Sequence, residues 1–124
     1  MSLLLDTHVV LWWLSADGRL PDELRQRLGD DPNVGVSAVT LWEVGIKQSI
    51  GKLSAPHPLP EWIAQSSFRQ LPITFDHAVA AGHLPLLHRD PFDRMLVAQA
   101  RCEGLTLVTR DPQIHRYDVD LLRV

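Results

Sequence analysis

A single cysteine, Cys102, is too few for an internal disulfide or a cysteine zinc site and reads as a small apolar helix residue. No apolar run approaches the roughly 20 residues that a membrane helix needs. The amino terminus has no basic stretch leading into an apolar segment and a small-residue cleavage site. A secretory signal is therefore not expected, and the cytoplasm is the default location. Positive charge is not in excess: 12 Lys and Arg against 15 Asp and Glu give a formal net charge of −3. Domains that grip nucleic acid mainly by Coulomb attraction are strongly basic, so that class is disfavoured. An enzyme whose bound cations reverse the local sign is not. The six histidines are scattered without a His-x-x-x-His pair, which argues against a histidine metal site. Internal repeats, low-complexity tracts and long charge runs are lacking too.

What is present suits one folded domain. The chain has 124 residues, 45% of them hydrophobic and 22% charged, enough for an ordinary core and too apolar for disorder. Residues 2–5 (SLLL) form a continuous apolar strand, as in a parallel sheet covered on both faces. Residues 7–14 read as a helix, and 21–28 (PDELRQRL) as another, opened by proline and two acids. Residues 34–37 (VGVS) are a second strand. Residues 38–50 are a third helix, with Val39, Trp42, Ile46 and Ile50 as its apolar stripe. Residues 51–60 form a loop, 61–68 a fourth helix and 70–74 a third strand, which Pro72 places at a sheet margin. Residues 75–84 are a fifth helix. From 91 to 103 runs a sixth, capped by Asp90, entered through Pro91 and stopped at Gly104. Residues 105–109 (LTLVT) are a buried strand, 112–115 a turn or short helix, and 119–122 a last strand. Alternating strands and helices predict an α/β fold with a mainly parallel sheet.

Four acids recur where such a sheet binds ligands, at the carboxyl ends of its strands. Asp6 ends the first strand and Asp111 ends the fourth. Asp93 opens the sixth helix on the same face as Leu96, Val97 and Ala100, so its charge sits on an apolar stripe and demands compensation. Glu43 lies about 55° from the centre of the third helix's stripe, closer than a solvent-facing acid needs to be. Each has an ordinary alternative: Asp6 as a cap, Glu43 as the partner of Lys47 at i+4, Asp93 as a first-turn acid, Asp111 as a turn residue. Four carboxylates aimed at one cleft would repel until a cation relieved them. Mg²⁺ or Mn²⁺ prefers such oxygens. The expectation is a metal-dependent phosphoryl-transfer or nuclease site.

The stretches LLLDTHVVLWW (3–13), SAVTLWEVGIK (37–47), DPFDRMLVAQA (90–100) and LVTRD (107–111) resemble the PIN-domain ribonucleases, and among them the VapC toxins of bacterial toxin–antitoxin pairs. The resemblance covers nearly the whole chain in order. It implies a three-layer fold with a parallel sheet of about five strands, Mg²⁺ or Mn²⁺, endonucleolytic cleavage of RNA, a homodimer and a small VapB-like antitoxin. By this match Asp6, Glu43, Asp93 and Asp111 are the catalytic cluster. Asp6 and Asp93 are the foremost metal ligands, and Glu43 and Asp111 complete the set or reach the ion through water. Asp90 competes with Asp93 for the motif, but is better placed as a cap.

Thr7 and Thr109 are candidates for hydrogen bonds to the acids or the scissile phosphate. Arg94 and Arg110 are candidates for RNA contact, or solvated counter-charges. Of the tryptophans at 12, 13, 42 and 62, some belong at a partner surface, while Trp42 is assigned to the core. Two other readings compete. A haloacid-dehalogenase-type phosphatase needs a second Asp two positions after the first, where this chain has His8. A non-catalytic α/β binding module, or degenerate PIN domain, would use the acids only as caps and turn residues.

Overall fold

The computed structural model describes residues 1–54 and 58–124. Residues 55–57, within the expected loop 51–60, lie outside the described residues. The strands are β1 (Leu3–Leu5), β2 (Val34–Ser37), β3 (Arg69–Leu71), β4 (Thr106–Thr109) and β5 (Leu121–Arg123). The helices are α1 (Thr7–Leu14), α2 (Asp22–Asp30), α3 (Ala38–Ser49), α4 (Leu59–Gln65), α5 (Phe75–His83) and α6 (Pro91–Glu103). All four strand pairings are parallel, in the order β3-β2-β1-β4-β5. The fold is α/β in three layers, as expected.

Period-two alternation divides the core between the two faces of the sheet. Leu3 and Leu5 join Val34, Val36 and Val108 beneath α1, α2 and α4. Leu4 joins Leu107 beneath α6, whose Leu96, Val97 and Ala100 are fully buried. The central strands are covered on both faces, which is why β1, β2 and β4 are largely apolar, while the edge strand β3 exposes Arg69 and Gln70.

The sequence signals at α6 act as expected. Asp90 accepts the N–H groups of Phe92 and Asp93, Pro91 occupies the first turn, and Gly104 ends the helix at φ 65°, where a Cβ would be strained. β3 is an edge strand that stops just before Pro72. Helix α4 starts two residues earlier than predicted, because Pro60 needs no N–H acceptor in a first turn. It also ends earlier, since Ser66 is extended. β5 lies two residues later than the expected 119–122 start, where Leu121 pairs with Leu107.

α3 departs from its periodicity. Its buried face carries Val39, Thr40, Glu43 and Val44. Trp42 is 60% exposed and Ile50 58%. The helix is thus rolled away from the stripe of Val39, Trp42, Ile46 and Ile50, and the core assignment of Trp42 does not hold. Two polar anchors accompany the roll: Thr40 hydrogen-bonds Thr7 across to α1 at 3.0 Å, and Lys47 pairs with the inward-facing Glu43.

The strand order fixes where a ligand crevice can open. From β1 the chain moves to β2 and β3 on one side, then crosses to β4 and β5 on the other. The reversal of direction opens a crevice beyond the carboxyl ends of β1 and β4. Asp6 follows β1 directly and Asp111 lies two residues after β4.

Candidate active site

Asp6 is 2% exposed. Its Oδ1 accepts the His8 N–H at 3.0 Å, capping α1, and its Oδ2 accepts the Thr109 hydroxyl at 2.5 Å. The same Thr109 oxygen accepts the Asp111 N–H at 3.1 Å. One threonine therefore fixes both strand-end acids. Thr7 does not reach them; its hydroxyl pairs with that of Thr40. The Asp6 carboxylate beside His8 also holds that exposed imidazole above its ordinary pKa.

Glu43 is likewise 2% exposed. Lys47 donates to Oε2 at 2.5 Å, and this contact holds the ammonium above its usual pKa. Oε1 is buried with no hydrogen-bond partner among the described residues. A buried carboxylate oxygen left unpaired is costly, so its aim requires an explanation.

Asp93 carries the largest perturbation. Burial pushes its pKa up to about 8, reinforced by the negative charges of Asp6, Asp90, Glu43 and Asp111. That field shows how closely the acids converge on α6. Burial also pushes Asp111 upward, but the Gln113 N–H and the His88 ring outweigh it and hold the carboxyl below its usual value. Asp90 keeps the capping geometry expected of it.

His88 is the residue that sequence reasoning missed. Its Nε2 lies 2.9 Å from Asp93 Oδ2 and 3.0 Å from Asp111 Oδ2. The absence of a histidine pair was read as an absence of histidine from the site. His88 instead enters from the link before α6, and nothing in its spacing to other histidines signals that.

The donor set fits a hard divalent cation. Among the described residues, His88, Asp93 and Asp111 each offer an atom within 4.8 Å of the others, a group that includes neither Asp6 nor Glu43; Glu43 carries the one buried carboxylate oxygen without a partner among the described residues. Carboxylate oxygens in excess of their counter-charges are what Mg²⁺ or Mn²⁺ would complete.

Basic and aromatic groups line one flank. A cavity of about 370 Å³ is bounded by Asp6, His8, Trp12, Arg19, Arg110 and Asp111, among others. The guanidinium groups of Arg19 and Arg110 lie over the Trp12 ring, 5.2 and 5.0 Å from its centroid. Arg110 is anchored to the Val124 and Arg19 carbonyls, so it is a fixed rather than a freely solvated charge. Arg94 is neither in the cleft nor solvated: it donates to the carbonyls of Ala81, Leu84 and Pro85 and caps the end of α5. Trp13 packs on Phe68, and Trp42 meets Phe92 edge-on at 5.1 Å.

Residues 3–120 match the PIN domain family model. The chain is 30% identical over 121 residues to the ribonuclease VapC22 of Mycobacterium tuberculosis, covering 94% of this chain and 93% of that protein. Among solved structures, VapBC2 from Rickettsia felis, bound to a DNA fragment from its promoter, superimposes with a TM-score of 0.75 at 17% identity. It covers 99% of this chain and 98% of the matched one. DNA-bound VapBC from Salmonella typhimurium gives a TM-score of 0.72 at 18% identity, with the same coverage. These two share the architecture; family membership rests on the domain match and on the curated relative. The chain belongs to the PIN-domain family, as a homologue of the VapC ribonucleases.

Proposed function

We propose that the protein is an endoribonuclease dependent on Mg²⁺ or Mn²⁺, with Asp6, Glu43, Asp93 and Asp111 as its catalytic carboxylates. The carrying observation is the unpartnered Glu43 Oε1, buried at a crevice where Asp93 already feels four other acids. A purely structural set of caps and turn residues would not need that oxygen bare. Asp6 and Asp93 would hold the cation, with Glu43 and Asp111 completing the set directly or through water. When bound, the cation would supply the charge that activates water and steadies a phosphodiester under in-line attack.

The chain's own groups prepare the site. Thr109 and the His8 N–H orient Asp6. Lys47 engages one oxygen of Glu43 and leaves the other aimed inward. Asp93 keeps a proton up to about pH 8 in the metal-free protein, so cation uptake below that pH releases it. Arg110 and Arg19 line the adjoining cavity and would receive the flanking RNA phosphates.

We also place the chain as the toxin of a toxin–antitoxin pair, acting as a homodimer and held by a small VapB-like antitoxin. The related solved structures are VapBC complexes. Phe75 and Leu86 are 92% and 91% exposed, with Val79 and Trp42 at 60%, so apolar surface is available for protein partners. Among the described residues, no helix is long and apolar enough to cross a membrane.

Incubation of a mixed RNA pool with the purified chain tests the activity. Mn²⁺ or Mg²⁺ should support cutting, EDTA should stop it, and Asp6→Ala and Asp93→Ala should both abolish it. Equal cutting by all three proteins would assign the activity to a contaminant. No cutting, together with no Mn²⁺-induced rise in melting temperature, would favour the binding-module reading.

A further inference from the structure

His88 is held more firmly than a loop residue needs to be. Its N–H donates to the Tyr117 hydroxyl at 3.0 Å, and that hydroxyl donates to the Pro85 carbonyl at 2.8 Å. Arg116 grips the Leu87 carbonyl at 3.0 Å, and Arg94 grips that of Pro85 at 3.0 Å. The imidazole is 15% exposed.

Its tautomer follows from its neighbours. Nδ1 accepts the backbone N–H of Asp90 at 3.2 Å, so the lone pair lies on Nδ1 and the proton on Nε2. That Nε2–H faces both Asp93 Oδ2 and Asp111 Oδ2. A metal-ligating Nε2 would need its own lone pair there. The proton would then move to Nδ1, directly against the Asp90 N–H, placing donor against donor.

We propose that His88 is a positioning residue outside the cation's ligand set, which shares one Nε2–H between Asp93 and Asp111 and fixes their separation. The inference rests on the metal-site reading given above. Asp93 rides on α6 and Asp111 on the loop after β4, so no shared backbone element keeps these two acids in register. A single donor does, held at its backbone N–H by the Tyr117 hydroxyl and at Nδ1 by the Asp90 N–H. Partners of this kind, one step removed from the ion, are typically worth about 10–100-fold in metal affinity.

Two measurements decide it. The first is long-range ¹H–¹⁵N NMR of the metal-free wild type, which should show the Nε2–H tautomer at His88; an Nδ1–H tautomer would overturn the proposal whatever the metal does. The second is titration of Mn²⁺ and Mg²⁺ by calorimetry in the wild type, His88→Gln and His88→Leu. Gln places an N–H near the position of Nε2 without an imidazole. His88→Leu should weaken both ions by about tenfold or more and by the same factor, and His88→Gln should recover most of the loss. A loss confined to Mn²⁺, with no recovery in Gln, would make His88 a ligand. Tighter binding in Leu would make it a competitor of the ion. Unchanged binding would make it a bystander. No binding by the wild type would sink the metal-site reading and this proposal together, whereas wild-type binding with an unaltered Leu variant would sink this proposal alone.

Discussion

Replacing Asp93 by Asn should stabilise the metal-free protein while destroying its response to metal. Asp93 ionises at about 8 rather than 3.8, a difference of about 4 pH units, worth about 6 kcal/mol between its charged and neutral forms. The His88 N–H at 2.9 Å opposes this shift, but it is one donor shared with Asp111 against burial and four neighbouring acids. Relaxation of Lys47 and entry of water recover part of the cost of a bare charge, so a gain of about 2–4 kcal/mol at pH 9 is expected for the Asn variant. The sign follows from proton binding. The folded wild type retains a proton that the unfolded chain has lost above about pH 4, so wild-type stability falls as pH rises from about 4 to about 8. Asn has no such proton, and the gap between the two proteins should open over that window and close below it. Urea unfolding in EDTA at pH 5, 7 and 9 measures it. Excess Mn²⁺, at about 100 times its dissociation constant, should then add about 2.7 kcal/mol to the wild type and little to the variant. An Asn variant less stable than wild type at pH 9, or a gap indifferent to pH, would refute the description of Asp93 as a strained, cation-seeking carboxyl.

Asp90→Asn should keep both stability and metal-dependent cleavage nearly intact, because Asn caps a helix as well as Asp does; loss of cleavage in this variant but not in Asp93→Asn would exchange the two roles. Trp42→Ala should cost no more than about 1.5 kcal/mol in urea unfolding, the worth of an edge-on aromatic contact, since the ring is 60% exposed; a loss of about 3–5 kcal/mol would restore it to the core.

The unit from Asp90 to Asp111 was readable because its determinants are local. An acid cap, a proline in the first turn and a glycine at the stop act within a few residues, and the structure uses all three. The parallel sheet was readable for a related reason: strands buried on both faces must be apolar throughout, and β1, β2 and β4 are largely so. Contacts between distant segments were not readable. His88 meets Asp111 across 23 residues, and Arg94 meets the end of α5 through backbone carbonyls, which have no sequence signature.

The rolled α3 shows why the site itself resists periodicity. A hydrophobic stripe is centred on apolar side chains, so it draws Trp42 fully inward and leaves Glu43 at the stripe's margin, about 55° from its centre. The fold does the reverse, burying Glu43 at 2% exposure and leaving Trp42 at 60%. Glu43 keeps one oxygen on Lys47, and the other is buried without a partner among the described residues. Such a placement opposes the gradient that folds the rest of the helix, and it is tolerated because Val39, Val44 and the Thr7–Thr40 bond hold the roll. An acid found on the buried side of its helix, against the helix's own apolar stripe, is what the proposed chemistry would require and what stability alone would not select. By that criterion Glu43 supports the proposed cleft without appeal to any resemblance, and Asp93, its carboxyl pushed up to about 8 on α6, supports the same proposal a second time.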